Sequence, residues 1–191
     1  MTIPTGQDLR SRIESYLADD GLECSQCVIA LLRREVGLAA KELEAAALPL
    51  SKGLSATGGV CAAVTSGMIV LGSAFEVGPS EAWPRRPVPV GDDRHEPPLN
   101  DWLEVHPWQW VEPSVFSACR ELFTRLSAVG DIQGGSLSCH DISGVDWSAP
   151  TEAQLARYHA LDGERVRCVD MIAAAVETVA KLLRQTRVRT V

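Results

Sequence analysis

No segment of this chain alternates apolar and polar residues as a half-buried strand must; its apolar residues recur three and four apart instead. That spacing, interrupted at glycines and prolines, predicts an all-α fold. The expected form is a compact helical bundle of about five or six helices, one domain over residues 1–191. A first helix follows Thr5 as N-cap and sets Leu9, Ile13 and Leu17 on one side, ending at Asp19-Asp20-Gly21. A second covers residues 23–36, with Cys24, Cys27, Val28, Leu31 and Leu32 toward one side, and stops at Gly37. A short alanine-rich helix follows over residues 39–47, closed by Pro49.

Residues 53–59 read as a flexible loop, and a long apolar helix follows over residues 60–75. Its Ala62, Ala63, Ser66 and Gly67 are small enough to let another backbone or a cofactor approach. The uncharged stretch of residues 53–75 competes briefly for a membrane reading. Its five glycines and its Ser and Thr residues favour a buried core helix. Residues 115–126 present Phe116, Cys119, Leu122, Phe123 and Leu126 as an apolar face. Residues 130–135 form a loop, and residues 141–147 read as short and irregular. A last helix opens at Pro150-Thr151 and runs to about Arg184, kinked near Gly163, with Val169, Ile172, Val176, Val179 and Leu183 as its core stripe.

Residues 79–113 differ in character. They hold eight of the eleven prolines together with Trp83, Trp102, Trp108 and Trp110. Proline removes a backbone donor and fixes φ, so this stretch is neither helix nor central strand. It reads as a lid or arm inserted in the domain, and its tryptophans suit a homodimer contact.

The net charge of -7 argues against a nucleic-acid binder, whose phosphate contacts need a basic surface. The basic group Lys181, Arg184, Arg187 and Arg189 suits a solvated helix C-terminus. The start, Met1-Thr2-Ile3-Pro4-Thr5, lacks the basic and apolar regions of a signal peptide. Six cysteines in 191 residues is also below the density of a disulfide-stapled domain. A reducing cytoplasm is the expected compartment.

Four cysteines lie far apart on apolar, helix-patterned segments: Cys24, Cys61, Cys139 and Cys168. Thiols gathered by a fold can hold a metal or iron–sulfur cluster, cycle between dithiol and disulfide, or fill a core as small hydrophobes. Cys24 and Cys27 are three apart at a helix start, a position that lowers a thiol pKa. For thiol exchange, Cys24 is the expected attacking group, with Cys27, Cys61 or Cys168 resolving. A thioredoxin reading of Cys-x-x-Cys lacks its βαβ surroundings. His140 beside Cys139 and His159 on the last helix read as surface histidines, and His95 and His106 lack ligand spacing. No nucleophile elbow, phosphate loop or dinucleotide fingerprint occurs.

Taken in order, these landmarks resemble the C_GCAxxG_C_C family of redox-active proteins. Cys24 with Gln26 stands at its first cysteine. Cys61-Ala62-Ala63-Val64-Thr65-Ser66 stands at a Cys-Gly-Ala-x-x-Gly signature, with Ala62 and Ser66 in place of the glycines. Cys139, after Gly135-Ser136-Leu137, is the third cysteine and Cys168 the fourth; Cys27 and Cys119 are extra. A related domain of split-Soret cytochromes is associated with an iron–sulfur cluster. The resemblance therefore implies a redox-active protein with Cys24, Cys61, Cys139 and Cys168 as ligands to an iron–sulfur cluster, or to zinc as the alternative. It also implies a redox partner that the residues do not name. No Cys-x-x-Cys-His motif is present, so covalent haem is not expected. A non-catalytic helical assembly module with inert cysteines is the remaining reading.

Overall fold

The computed structural model describes residues 4–74, 113–129, 135–160 and 165–189. Among the described residues there are eight α-helices, one 3-10 turn and no strand, so the all-α class holds. The helices are α1 (Gln7–Ala18), α2 (Cys24–Arg34), α3 (Lys41–Ala46), α4 (Ala62–Ala74), α5 (Pro113–Ser127), α6 (Cys139–Ser143), α7 (Glu152–His159) and α8 (Arg165–Arg189). Their number exceeds the expectation for two reasons. The last helix is two helices, α7 and α8. The irregular stretch after residue 138 also contains α6, capped by Ser138 and ended by Gly144 in the left-handed conformation.

Helix α2 is the centre of the molecule. Ser25 and every residue from Cys27 to Leu32 are buried, which a helix tolerates only when surrounded on all sides. It packs on α1, α3, α4 and α8. Glu23 and Gln26 close a reciprocal capping box that fixes its start. Helix α1 buries Leu9, Ile13 and Tyr16, and its N-cap is Gly6 at φ 59° rather than Thr5. Helix α8 buries the whole stripe of Val169, Ile172, Val176, Val179 and Leu183.

Helix α4 crosses α5 and α8 closely because Gly67 lacks a side chain. A Cβ there would stand 2.7 Å from Leu122 Cδ2 and 3.2 Å from Val179 Cγ2. Helix α5 faces the core with Val115, Ala118, Leu122 and Leu126. Phe116 and Phe123, expected on that face, are 36% and 49% exposed. Leu122 and Leu126 face the core as expected, but the face turns toward Val115 and Ala118 at the start of the helix and leaves the two phenylalanines outward. Among the described residues no helix is long and apolar enough to cross a membrane. The proline- and tryptophan-rich arm, and with it the expected dimer contact, lies outside the described residues except for its last position, Pro113 in α5.

Candidate functional site

The four widely spaced cysteines all stand where helices begin. Cys24 is the first residue of α2, Cys139 the first of α6, and Cys168 lies in the first turn of α8. Cys61 immediately precedes α4, and its carbonyl accepts from Val64 N at 3.0 Å and Thr65 N at 3.2 Å, as an N-cap carbonyl does. Unpaired N–H groups and the positive end of the helix dipole both favour negative charge there.

A backbone clasp joins two of these starts. Val60 and Ser138 form an isolated antiparallel bridge. Cys61 N donates to Leu137 O at 2.8 Å, and Cys139 N to Gly59 O at 2.6 Å. The turn leading into the clasp is left-handed over five successive residues: Lys52, Gly53, Leu54, Ser55 and Ala56 have φ between 55° and 71°. An L-residue in this region costs about 1–2 kcal/mol, so the turn needs strong support. Thr57 Oγ1 and Gly59 N both donate to Gly53 O, at 2.6 and 3.0 Å. Gly53 is required by space as well as by φ, since a Cβ would stand 2.6 Å from Gly59 N and 2.7 Å from Cys139 Cβ. At the other end Ser51 Oγ lies 2.5 Å from Ser25 Oγ, tying the turn to the start of α2.

Cys24, Cys139 and Cys168 line one pocket of about 270 Å³, with Trp147, Tyr158 and Lys52. Cys61 is buried and does not line it. Charge nevertheless couples Cys61 to the pocket thiols: Cys168 is raised by Cys61, Cys24 and Cys139, Cys61 by Cys24 and Cys139, and Cys139 by Cys24. Burial is the leading cause at every one of them. It pushes Cys61 up to about 12 and Cys139 up to about 11, and it raises Cys24 and Cys168 as well. The expectation that a helix start lowers Cys24 and Cys27 is corrected here, because loss of water outweighs the dipole at both.

Opposing burial, polar groups beside each of the four thiols pull its pKa down: the amides of Lys52 and Ser25 and the Ser51 hydroxyl at Cys24, the amides of Ala63 and Val64 at Cys61, the side chains of Ser143 and Trp147 at Cys139, and the Tyr158 hydroxyl at Cys168. The two extra cysteines differ. Cys27 is sealed in the core and moved by burial and nearby charges, and Cys119 is moved by burial alone.

The two histidines near the site take modest places. His140 is exposed, with Nδ1 3.2 Å from Val145 O, and His159 is exposed at the pocket edge beside Tyr158. Trp147 and Tyr158 were not anticipated from sequence. One signal for Trp147 was available, as it is the sole tryptophan outside the proline-rich stretch. As a donor set, four thiols suffice for a cluster. Among the described residues, however, no three of His, Cys, Asp and Glu are placed to hold a single metal ion.

A family model, C_GCAxxG_C_C, described as a putative redox-active protein, matches residues 22–182. No curated protein and no solved structure matches significantly. The family's pattern spells its second landmark Gly-Cys-Ala-x-x-Gly. On that spelling Cys61-Ala62 agree, and the two glycines fall at Val60 and Thr65 rather than at Ala62 and Ser66. Val60 makes the clasp bridge, and Thr65 bonds its hydroxyl to Ala62 O at 3.3 Å, so both replacements are accommodated locally. With the match covering residues 22–182, most of the chain, the chain belongs to the C_GCAxxG_C_C family of putative redox-active proteins.

Proposed function

We propose that this chain is a redox protein that carries an iron–sulfur cluster on Cys24, Cys61, Cys139 and Cys168. The observation that carries the reading is the difference between these four sulfurs and the other two. Each of the four has neutral polar groups beside it that favour its thiolate, whereas Cys119 is moved by burial alone and Cys27, although it lies near the Cys24 charge, has no such group. Such groups stabilise thiolate, and burial among like charges opposes it. A cationic centre resolves that conflict, because a coordinating metal takes the thiol as thiolate outright.

The same four thiols would ligate either a cluster or zinc, and the cluster is the leading reading. A tetrahedral zinc site with Zn–S of about 2.3 Å needs four sulfurs crowded on one ion. A cluster spreads its four thiolates over two or four irons, so no three need meet at one point. When bound, such a group supplies one-electron transfer. The chain's own contribution is to hold the sulfurs, shield them from water on the Cys61 side and set polar groups beside each that favour the thiolate.

A second reading rests on the pocket face shared by Cys24, Cys139 and Cys168. Two of these thiols could pass two electrons and two protons to a partner's disulfide, forming a bond between their own sulfurs and leaving the partner as dithiol.

Protein purified without oxygen decides between them. The cluster reading expects a brown protein with iron and sulfide in stoichiometric amounts. Colour should be lost in Cys24→Ala, Cys61→Ala, Cys139→Ala and Cys168→Ala and kept in Cys119→Ala. A colourless, iron-free chain that yields an intramolecular disulfide on mild oxidation establishes the second reading instead. A chain that does neither is an assembly module with inert cysteines.

A further inference from the structure

The pocket is lined by more than its thiols. Leu17, Leu22 and Ile172 give it apolar surface. Trp147 and Tyr158 give it an aromatic wall, their rings edge to face with centroids 5.2 Å apart and planes at 87°. Its charges do not cancel. Glu23 is the one carboxylate among the described lining residues, and it is already engaged. Lys52 Nζ lies 2.9 Å from its Oε1, and its side chain closes the capping box of α2. Lys52 also stands 5.5 Å from the Trp147 ring centroid. That leaves Arg165, half-buried and without an ion pair among the described residues. Beside it in the lining is His159, whose imidazole offers an N–H donor in either charge state.

Arg165 is also poorly placed for its own helix. It opens α8, whose first turn has no acidic residue and carries Arg167 as well. Cations there oppose the helix dipole instead of complementing it. A half-buried guanidinium has given up water without gaining a partner. In a chain of net charge -7, an uncompensated arginine in a pocket wall points to an anion supplied from outside.

We infer that this pocket is a binding site for a small aromatic carboxylate, its carboxylate held by Arg165 and His159 and its flat body by Trp147 and Tyr158. A guanidinium pairs with a carboxylate through two parallel N–H bonds, and an aromatic wall takes a further ring edge to face or offset. At about 270 Å³ the cavity is near the lower end of the usual range for ligand pockets, so the molecule is small. None of the groups used is a cysteine, so the site stands whether or not the thiols hold a cluster.

Calorimetric titration of the protein as purified without oxygen tests this, with benzoate, acetate and benzyl alcohol as probes. Benzoate should bind saturably at one site per chain, about tenfold or more tighter than either of the others, because acetate lacks the ring and benzyl alcohol the charge. Arg165→Gln should weaken benzoate about ten- to a hundredfold, as loss of a charge-assisted pair does. Arg165→Lys, which keeps the charge and loses the fork, should fall between the two. Arg120→Gln, which removes an exposed arginine from α5, should bind as the parent does. Benzoate that fails to bind overturns the inference. So does benzyl alcohol binding as tightly, which would make the pocket an apolar one, or acetate doing so, which would leave the aromatic wall without a part. Parent-like affinity in both Arg165 variants overturns it as well. Iron content is read separately, so a chain that takes up no iron sinks the proposed function and leaves this test in force.

Discussion

The helix core and the clasp beside it are stabilised by opposite means. In α2, the residues from Cys27 to Leu32 are buried without gaps, and helices α4 and α8 close over them. Stability there comes from removing apolar surface from water, roughly 25 cal/mol per Å². In the turn from Lys52 to Ala56 the backbone is left-handed and Leu54 is 41% exposed. Order there comes mainly from polar contacts, the hydrogen bonds to Gly53 O and the Lys52–Glu23 ion pair, and it works against conformational preference. The core helices hold the molecule together and carry Cys24 and Cys168 at their starts, whereas the clasp aims Cys61 and Cys139.

The largest test of that division is in the core. Leu32 is fully buried, so Leu32→Ala should cost about 2–5 kcal/mol in denaturant unfolding. The thiols of the folded variant should keep the parent's reactivity pattern. A redistribution of reactivity among Cys24, Cys61, Cys139 and Cys168 would show that core and clasp are one cooperative device. Gly53→Ala makes the converse test. Its Cβ must displace backbone at Gly59 and Gly58 and the Cys139 Cβ, none of which is a flexible side-chain end. A loss of about 1–3 kcal/mol is expected, with altered alkylation of Cys139. An unchanged Cys139 would mean that the turn does not position the sulfur.

The two regions were not equally legible in the sequence. Core helices write themselves as periodic apolar residues, and Val169 to Leu183 were placed correctly because burial enforces that spacing. Phe116 and Phe123 are the largest apolar residues of α5 yet stand exposed, and the buried face is set by Val115, Ala118, Leu122 and Leu126. The clasp leaves no such record. Lys52, Leu54, Ser55 and Ala56 are not residues that announce a positive φ, and a bridge between residues 60 and 138 has no local signature. The four cysteines were legible as a set. The aromatic lining of their pocket, Trp147 and Tyr158, was not, because a tryptophan or tyrosine finds its neighbours through tertiary packing.

A gentler probe is pH. The folded chain holds Cys139 up at about 11 and Cys61 up at about 12, above the ordinary thiol value, because burial opposes the thiolate. A raised pKa means that the folded state binds the proton more tightly than the unfolded one. The resulting stability is complete below the unfolded thiol pKa, near 9, and is lost as pH rises through the folded values. Denaturation midpoints of the metal-free chain should therefore fall between about pH 9 and pH 12, and less steeply in Cys139→Ala. A flat profile over that window would mean that these thiols are solvated and the site is open.

The smallest expected effect is the sharpest, because one chemical change should have opposite signs in two regions. Ala156 is exposed inside α7, where glycine costs about 1 kcal/mol relative to alanine. Ala156→Gly should destabilise by that amount. Ala56 sits at φ 63°, where the alanine Cβ crowds the following carbonyl and glycine does not. Removing that Cβ relieves about 1–2 kcal/mol of strain, while the freer unfolded chain takes back about 0.4–1 kcal/mol. Ala56→Gly should thus stabilise by about 0.5–1 kcal/mol, a rise of a few degrees in melting temperature for a chain of this size. The clasp is then a strained element held by its own hydrogen bonds, as sites that must aim a group often are. If Ala56→Gly instead destabilises as Ala156→Gly does, the turn carries no strain, and the contrast between the two regions reduces to a difference in burial.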